Sequence, residues 1–144
     1  YIAVRWRRRR ALLKALESTR IEPDDLHALM RSEPAPIVFD IRAPGFRDMD
    51  PFVIPGAVFA DERKLDEIVS VYPRERKIVI YCACPDEVSA AWMAAQLRKH
   101  QFVDVMPLRG GIDAWRERGF EVHAIRHDVA GAEQPPLPEP AQVP

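Results

Sequence analysis

The sequence predicts an α/β domain with a central parallel β-sheet flanked by helices in three layers. Short apolar runs rich in β-branched residues, "IVFDI" (37–41), "KIVIYC" (77–82) and "VDVMPL" (103–108), recur along the chain. Helix-like segments separate them, and strands alternating with helices imply a parallel sheet buried on both faces. At 144 residues, 47% hydrophobic and 30% charged, the chain suits one globular domain with extensions.

The elements follow in order. Residues 3–19 read as a helix, with Val4, Leu12, Leu13 and Leu16 among arginines. "IEPDDLHALM" (21–30) is a short helix, with Pro23 in its first turn and acids behind it. After the connector "SEPAP" (32–36) comes the strand at 37–41. Pro and Gly mark 43–56 as loop. A brief strand at 57–60 and a helix at 61–72 precede the strand at 77–82. From Asp86 to His100, Val88, Ala91, Trp92 and Ala95 recur at i, i+3, i+4 and i+7, the spacing of a helix face. The strand at 103–108 leads to a helix at 110–119, begun and ended by Gly. His27 is placed on a helix surface, His100 at a helix end, and Met30, Met93 and Met106 in the core.

Three segments result: a basic helix or linker at 1–20, a domain at 21–124, and a disordered tail at 125–144. The tail's "GAEQPPLPEPAQVP" holds five of the 14 prolines. Residues 1–16 carry six positive charges and no acid, so a net charge of −1 leaves −7 for the rest. An acidic body without an aromatic-and-basic surface argues against nucleic acid as a partner of "RWRRRR" (5–10). A solvated helix face is the plain alternative. No stretch has the 18 or so apolar residues of a membrane span.

Both cysteines, Cys82 and Cys84, fall where the strand at 77–82 gives way to a helix. Two thiols at this spacing are too few for a disulfide framework, and four scattered histidines do not complete a zinc set. No metal site is expected. In parallel α/β sheets, chemistry gathers at the carboxyl ends of the strands, where Cys82 lies. Backbone N–H groups of the turn "CACPDE" (82–87) can point inward, and the helix behind adds its positive dipole end. A thiolate there is stabilised, which is the recipe for a nucleophilic sulfur. A buried Cys82 acting as a small hydrophobe fits its position equally well.

Five stretches together resemble the rhodanese (sulfurtransferase) family, in order and over residues 21–122. They are the opening "IEPDDLHALM" (21–30), "IVFDIR" (37–42), "IPGAVF" (54–59), "IVIYC" (78–82) and "VMPLRGGIDAW" (105–115). The resemblance implies that Cys82 is the catalytic nucleophile and that the amides of 83–87 (Ala83, Cys84, Pro85, Asp86, Glu87) bind the substrate. It implies a small sulfane-sulfur donor, a thiol acceptor and a Cys82 persulfide between them, with no cofactor. Asp40, Arg42, Gly110, Gly111 and Trp115 fall on positions that hold the fold.

The loop departs from the family pattern Cys-x-x-Gly-x-Arg: the fourth position is Pro85 and the sixth Glu87. Pro85 removes one N–H from the turn. Asp86 and Glu87 suit a helix start but set negative charge near a thiolate and an anionic donor. Val53 stands where the family often has His. Cys84 reads either as a resolving thiol or as a small loop residue. Two rival functions remain: a non-catalytic binding or sensing module, and a phosphatase of related fold. The latter needs an Arg-closed loop, and 83–89 holds no Arg.

The bulky "YIAVRW", without an initiating Met and followed by arginines, resembles the cytoplasmic exit of the last span of DedA-type membrane proteins. The expected location is the cytoplasmic face of a membrane, reached through a segment outside this chain.

Overall fold

The computed structural model describes residues 2–7, 10, 19–83 and 87–126. The expected tail beyond Arg126, most of the basic segment, and Cys84, Pro85 and Asp86 lie outside the described residues.

Four strands form a parallel sheet in the order β3–β1–β4–β5: β1 is Ile37–Asp40, β3 Val58–Phe59, β4 Ile78–Tyr81 and β5 Val105–Pro107. All residues of β1 and β4 are buried, as their unbroken apolar runs require when helices cover both faces. Their register pairs Ile37 with Ile78 and Asp40 with Tyr81. Ile21 adds a parallel bridge to Leu108 at the edge beyond β5. A separate antiparallel pair joins β2 (Phe52–Val53) to β6 (His123–Ala124).

Successive strand residues face opposite ways, so the sheet divides two cores. Ile37, Phe39, Ile78, Ile80 and Cys82 face Met93, Ala94, Leu97 and Phe102. Val38, Val79 and Tyr81 face Leu26, Ile54, Leu108, Ile112 and Trp115. The first partner set belongs mainly to α4 (Val88–Lys99); the second draws on α1 (Pro23–Leu29) and α5 (Gly111–Glu117). Ile80 and Leu97 are wholly buried, and truncating either to Ala would cost about 2–5 kcal/mol.

The helix ends follow local chemistry. Pro23 opens α1, followed by Asp24 and Asp25 in its first turn. Helix α4 stops because Gln101 takes a left-handed conformation (φ 69°). Gln101 N–H then donates to Arg98 O (3.0 Å) and Phe102 N–H to Leu97 O (3.1 Å), which turns Phe102 into the core.

Several expectations are corrected. The stretch 43–56 is not all loop: it holds α2 (Pro44–Met49) and β2. Helix 61–72 divides into a 3-10 turn, Glu62–Lys64, and α3 (Leu65–Val71), with Asp61 accepting from Arg63 N–H ahead of the turn. The inward face of α4 is Ala90, Ala91, Met93, Ala94 and Leu97, whereas Val88 (40%) and Trp92 (49%) are exposed. Alanines bring that helix close to the sheet, and an indole would hold it away. His27 is no free surface residue, for its ring stacks on Phe120 at 4.0 Å. Ordered contacts run past 124, since Ile125 N–H donates to Pro51 O (2.8 Å).

Candidate active site

The chain leaves β1 toward β3 on one side, and leaves β4 toward β5 on the other. Connections diverging from neighbouring strands open a crevice at their carboxyl ends. A cavity of about 490 Å³ lies there. Arg42 comes from the end of β1, Cys82 and Ala83 from the end of β4, Gly110 from the β5–α5 turn, and Gly111 to Asp113 from the first turn of α5. Phe46, Met49 and Asp50, from α2 and its end, supply the remaining wall with Glu87.

Cys82 lies one residue past β4, is 6% exposed and takes part in no disulfide. By strand alternation it shares the α4 side of the sheet with Ile78 and Ile80. Cys82 therefore lines the cavity as a mostly buried residue whose side chain lies on the α4 side of the sheet. Ala83 is exposed beside it. Of the five expected substrate-binding residues, Ala83 and Glu87 line the cavity, while Cys84, Pro85 and Asp86 lie outside the described residues.

Asp40 and Arg42 form the polar frame beneath the cavity, with Asp40 wholly buried and Arg42 4% exposed. Arg42 Nε donates to Asp40 Oδ1 at 3.0 Å and Nη2 to Oδ2 at 2.7 Å. The Arg42 backbone N–H reaches Oδ1 at 3.0 Å. Tyr81 O–H donates to Asp40 Oδ2 (3.0 Å) and its oxygen accepts weakly from Ile54 N–H (3.4 Å). Arg42 also reaches the carbonyls of Phe52 (2.7 Å) and Asp50 (3.3 Å). It thereby holds β2 and the end of α2 over the site. Burial alone would lower the Arg42 pKa, but Asp40's hydrogen bonds and charge outweigh it and hold the guanidinium above its usual value. Burial, then the charge of Asp40, pushes the Tyr81 phenol well up.

Gly110 and Gly111 both have positive φ, at 73° and 58°. A Cβ on Gly110 would fall 2.5 Å from Ala114 Cβ, and one on Gly111 would meet the Cys82 carbonyl at 3.1 Å. The turn therefore needs glycine twice, for left-handed backbone and for close approach to Cys82. Trp115 is 1% exposed and its Nε1–H donates to Glu121 O (2.8 Å), tying α5 to the chain beyond it.

Glu87 departs most from its expected setting. It caps α4 in a left-handed conformation (φ 51°, ψ 36°), and its carboxylate does not stand free in the cavity. Oε1 accepts from Gly110 N–H at 2.6 Å, and Oε2 lies 3.1 Å from Arg20 Nη2. Its negative charge is thus met by a cation.

The sequence reasoning missed Arg20, Phe46, Met49, Asp50, Tyr81 and Asp113. Asp50 accepts from Arg116 Nη2 at 2.5 Å and lies 3.5 Å from Arg42 Nη1. Phe46 (54% exposed) and Met49 (83%) form an apolar lip. Tyr81 alone carried a signal, a hydroxyl inside an apolar strand beside the cysteine.

A model of the rhodanese-like domain matches residues 22–118. The crystal structure of the Alr3790 protein from Anabaena sp. aligns with TM-score 0.64 and 24% identity, over 73% of this chain and 82% of that one. The solution structure of the rhodanese-like domain of Alr3790 gives TM-score 0.63 and 22% identity, over 87% and 95%. RPA3614 from Rhodopseudomonas palustris, described as a protein of unknown function and "possible tyrosine phosphatase", gives 0.64 and 25%, over 79% and 92%. No curated protein matches the chain.

Proposed function

This chain belongs to the rhodanese-like domain family, and from that premise we propose that it is a sulfurtransferase working through a Cys82 persulfide. The observation that carries the reading is a cysteine outside any disulfide at the carboxyl end of β4, lining a cavity ahead of the twelve-residue helix α4. In the first step the Cys82 thiolate attacks the outer sulfur of a donor. A Cys82 S–S bond forms, the donor's own S–S bond breaks, and its electron pair leaves with the inner fragment, sulfite for thiosulfate. In the second step an acceptor thiolate attacks the terminal sulfur. The Cys82 S–S bond breaks, Cys82 leaves as thiolate and the acceptor departs as a persulfide. No external electrons are needed.

Two observations favour sulfur transfer over the phosphatase activity suggested for the Rhodopseudomonas palustris neighbour. Arg42 is bound to Asp40 and to the carbonyls of Phe52 and Asp50, and Arg20 pairs with Glu87. Residues 83–89 contain no arginine to close on a phosphate. The binding-module reading draws on the same substitution of Glu87 for the family arginine. Sulfane-sulfur transfer from thiosulfate or a small persulfide to a thiol, run beside hydrolysis of an aryl phosphate, tests all three. Transfer lost in Cys82→Ser supports the proposal; aryl phosphate hydrolysis, or neither reaction, rejects it.

The proposal also sets the domain at the cytoplasmic face of a membrane, as in a DedA-type protein. Its support is the cluster Arg5, Arg7, Arg8, Arg9 and Arg10 next to Trp6. Ile2 (85%), Val4 (55%) and Trp6 (57%) are exposed in the helical residues 2–7. No helix among the described residues is long and apolar enough to cross a membrane.

A further inference from the structure

Helix α2 buries the opposite set of residues from an ordinary surface helix. Of its six residues Arg47 is the buried one, at 8% exposed, while Phe46 (54%) and Met49 (83%) face outward. Packing ordinarily covers phenylalanine and methionine and leaves arginine in water. Particular contacts hold the reversal in place. Arg47 Nη1 donates to the Arg42 carbonyl, and the Arg47 guanidinium lies 4.2 Å from the centre of the Phe59 ring. At the end of the helix, Asp50 N–H donates to Phe46 O (3.0 Å), and the Asp50 carboxylate accepts from Arg116 Nη2 (2.5 Å). Phe46 and Met49 stand three positions apart, so they share one face of the helix. Both line the cavity that Cys82 lines. Apolar side chains held exposed together at a cavity mark a surface that a ligand covers.

The charges around the cavity disfavour an inorganic dianion. Among the described lining residues the charged groups are Arg42, Asp50, Glu87 and Asp113. Arg42 is the cation of that set, and its donors are committed. Nε and Nη2 serve Asp40 and the Phe52 carbonyl, and Nη1 faces the carbonyl (3.3 Å) and carboxylate (3.5 Å) of Asp50. A thiosulfate dianion therefore meets like charge, which costs binding. A persulfide monoanion meets less of it, and an apolar substituent on that persulfide would cover Phe46 and Met49. We propose that Phe46 and Met49 form the subsite for the apolar substituent of an organic persulfide, and that such a persulfide is the sulfur donor in preference to thiosulfate. The donor assignment rests on the sulfur-transfer reading; the subsite does not. In the transfer the Cys82 thiolate bonds to the outer sulfur of R–S–S⁻, the donor's S–S bond breaks, and its electron pair leaves with R–S⁻.

The experiment has two arms, both on the full chain carrying Cys84→Ser so that a single thiol reacts. In the first, Cys82 is alkylated by iodoacetamide and by N-phenyl iodoacetamide, which share the reacting carbon and differ by an apolar ring. The ratio of the two rates is compared among the parent, Phe46→Ala, Met49→Ala, their double variant and Val103→Ala. Val103 is a control: it is 77% exposed and precedes β5, at the other end of the sheet from the cavity. The ratio is expected to fall about tenfold in the double variant and to hold in Val103→Ala. In the second arm kcat/KM for sulfur transfer to a common thiol is measured with benzenethiosulfonate, methanethiosulfonate and thiosulfate. Benzenethiosulfonate should be the best donor, and its advantage over methanethiosulfonate should shrink in the double variant by a similar factor. Both substituted side chains are exposed, so the variants should fold, and circular dichroism checks each. An alkylation ratio that the two substitutions leave unmoved, or that Val103→Ala lowers equally, would overturn the subsite. Thiosulfate used as well as benzenethiosulfonate would overturn the donor assignment. A ratio that falls as expected, with no transfer from any of the three donors, would reject the sulfurtransferase reading and leave the subsite standing.

Discussion

Replacing Arg42 with Met keeps most of the side-chain volume and removes the guanidinium from a wholly buried carboxylate. Asp40 would lose three of its hydrogen bonds, those from Nε at 3.0 and 3.1 Å and from Nη2 at 2.7 Å. It would keep the Arg42 backbone N–H and the Tyr81 hydroxyl. The carbonyls of Phe52 and Asp50 would lose a donor as well. Removing one partner of a buried ion pair costs about 3–5 kcal/mol, because the other charge is left uncompensated. At 4% exposure for Arg42 and none for Asp40, solvent screening does not reduce that figure much. Adding Asp40→Asn removes the orphaned charge and should recover a large part of the loss. Urea unfolding of the four proteins in this double-mutant cycle provides the assay. A loss below about 1 kcal/mol in Arg42→Met, or no recovery in the double variant, would show that the pair does not frame the site as argued.

Three further outcomes are expected. Gly111→Ala must hold an alanine at φ 58° with its Cβ 3.1 Å from the Cys82 carbonyl. It should cost about 1–2 kcal/mol in thermal or urea unfolding and slow Cys82 alkylation, and an alanine variant as stable and reactive as wild type would refute the close-approach argument. Tyr81 has its pKa raised by burial and by Asp40, so its stabilising share is present below the unfolded tyrosine value near 10 and is lost as pH rises above it. Tyr81→Phe should lose about 1–3 kcal/mol at neutral pH and show a shallower alkaline decline than wild type; an unchanged slope would contradict this. Vesicles containing anionic lipid should retain the full chain more than one beginning at Ile21, and equal retention would remove the membrane assignment.

The parallel sheet was legible because β1 and β4 are uninterrupted apolar runs, and only burial on both faces makes such runs. Cys82 was legible for the same reason, as the residue where the run ends. Helix α2 was hidden: six residues starting Pro44–Gly45 carry no periodicity and read as punctuation. The face of α4 was misread because "VSAAWMAAQL" is apolar almost all round, so spacing alone admits several faces. Packing against the sheet selects the one rich in alanine. Arg20 gave no local signal, since its partner Glu87 is 67 positions away and the strap beside β5 joins them. The expected charge effect of Glu87 failed to account for that cation.

The central claim is that Cys82 carries sulfur covalently. Intact mass should be measured on wild type, Cys82→Ser and Cys84→Ser after incubation with thiosulfate and, separately, with a polysulfide. The account predicts a gain of about 32 Da, one sulfur atom, on wild type and Cys84→Ser and none on Cys82→Ser. A folded wild type that gains no mass from either donor, or a Cys82→Ser variant that gains as much as wild type, would contradict it.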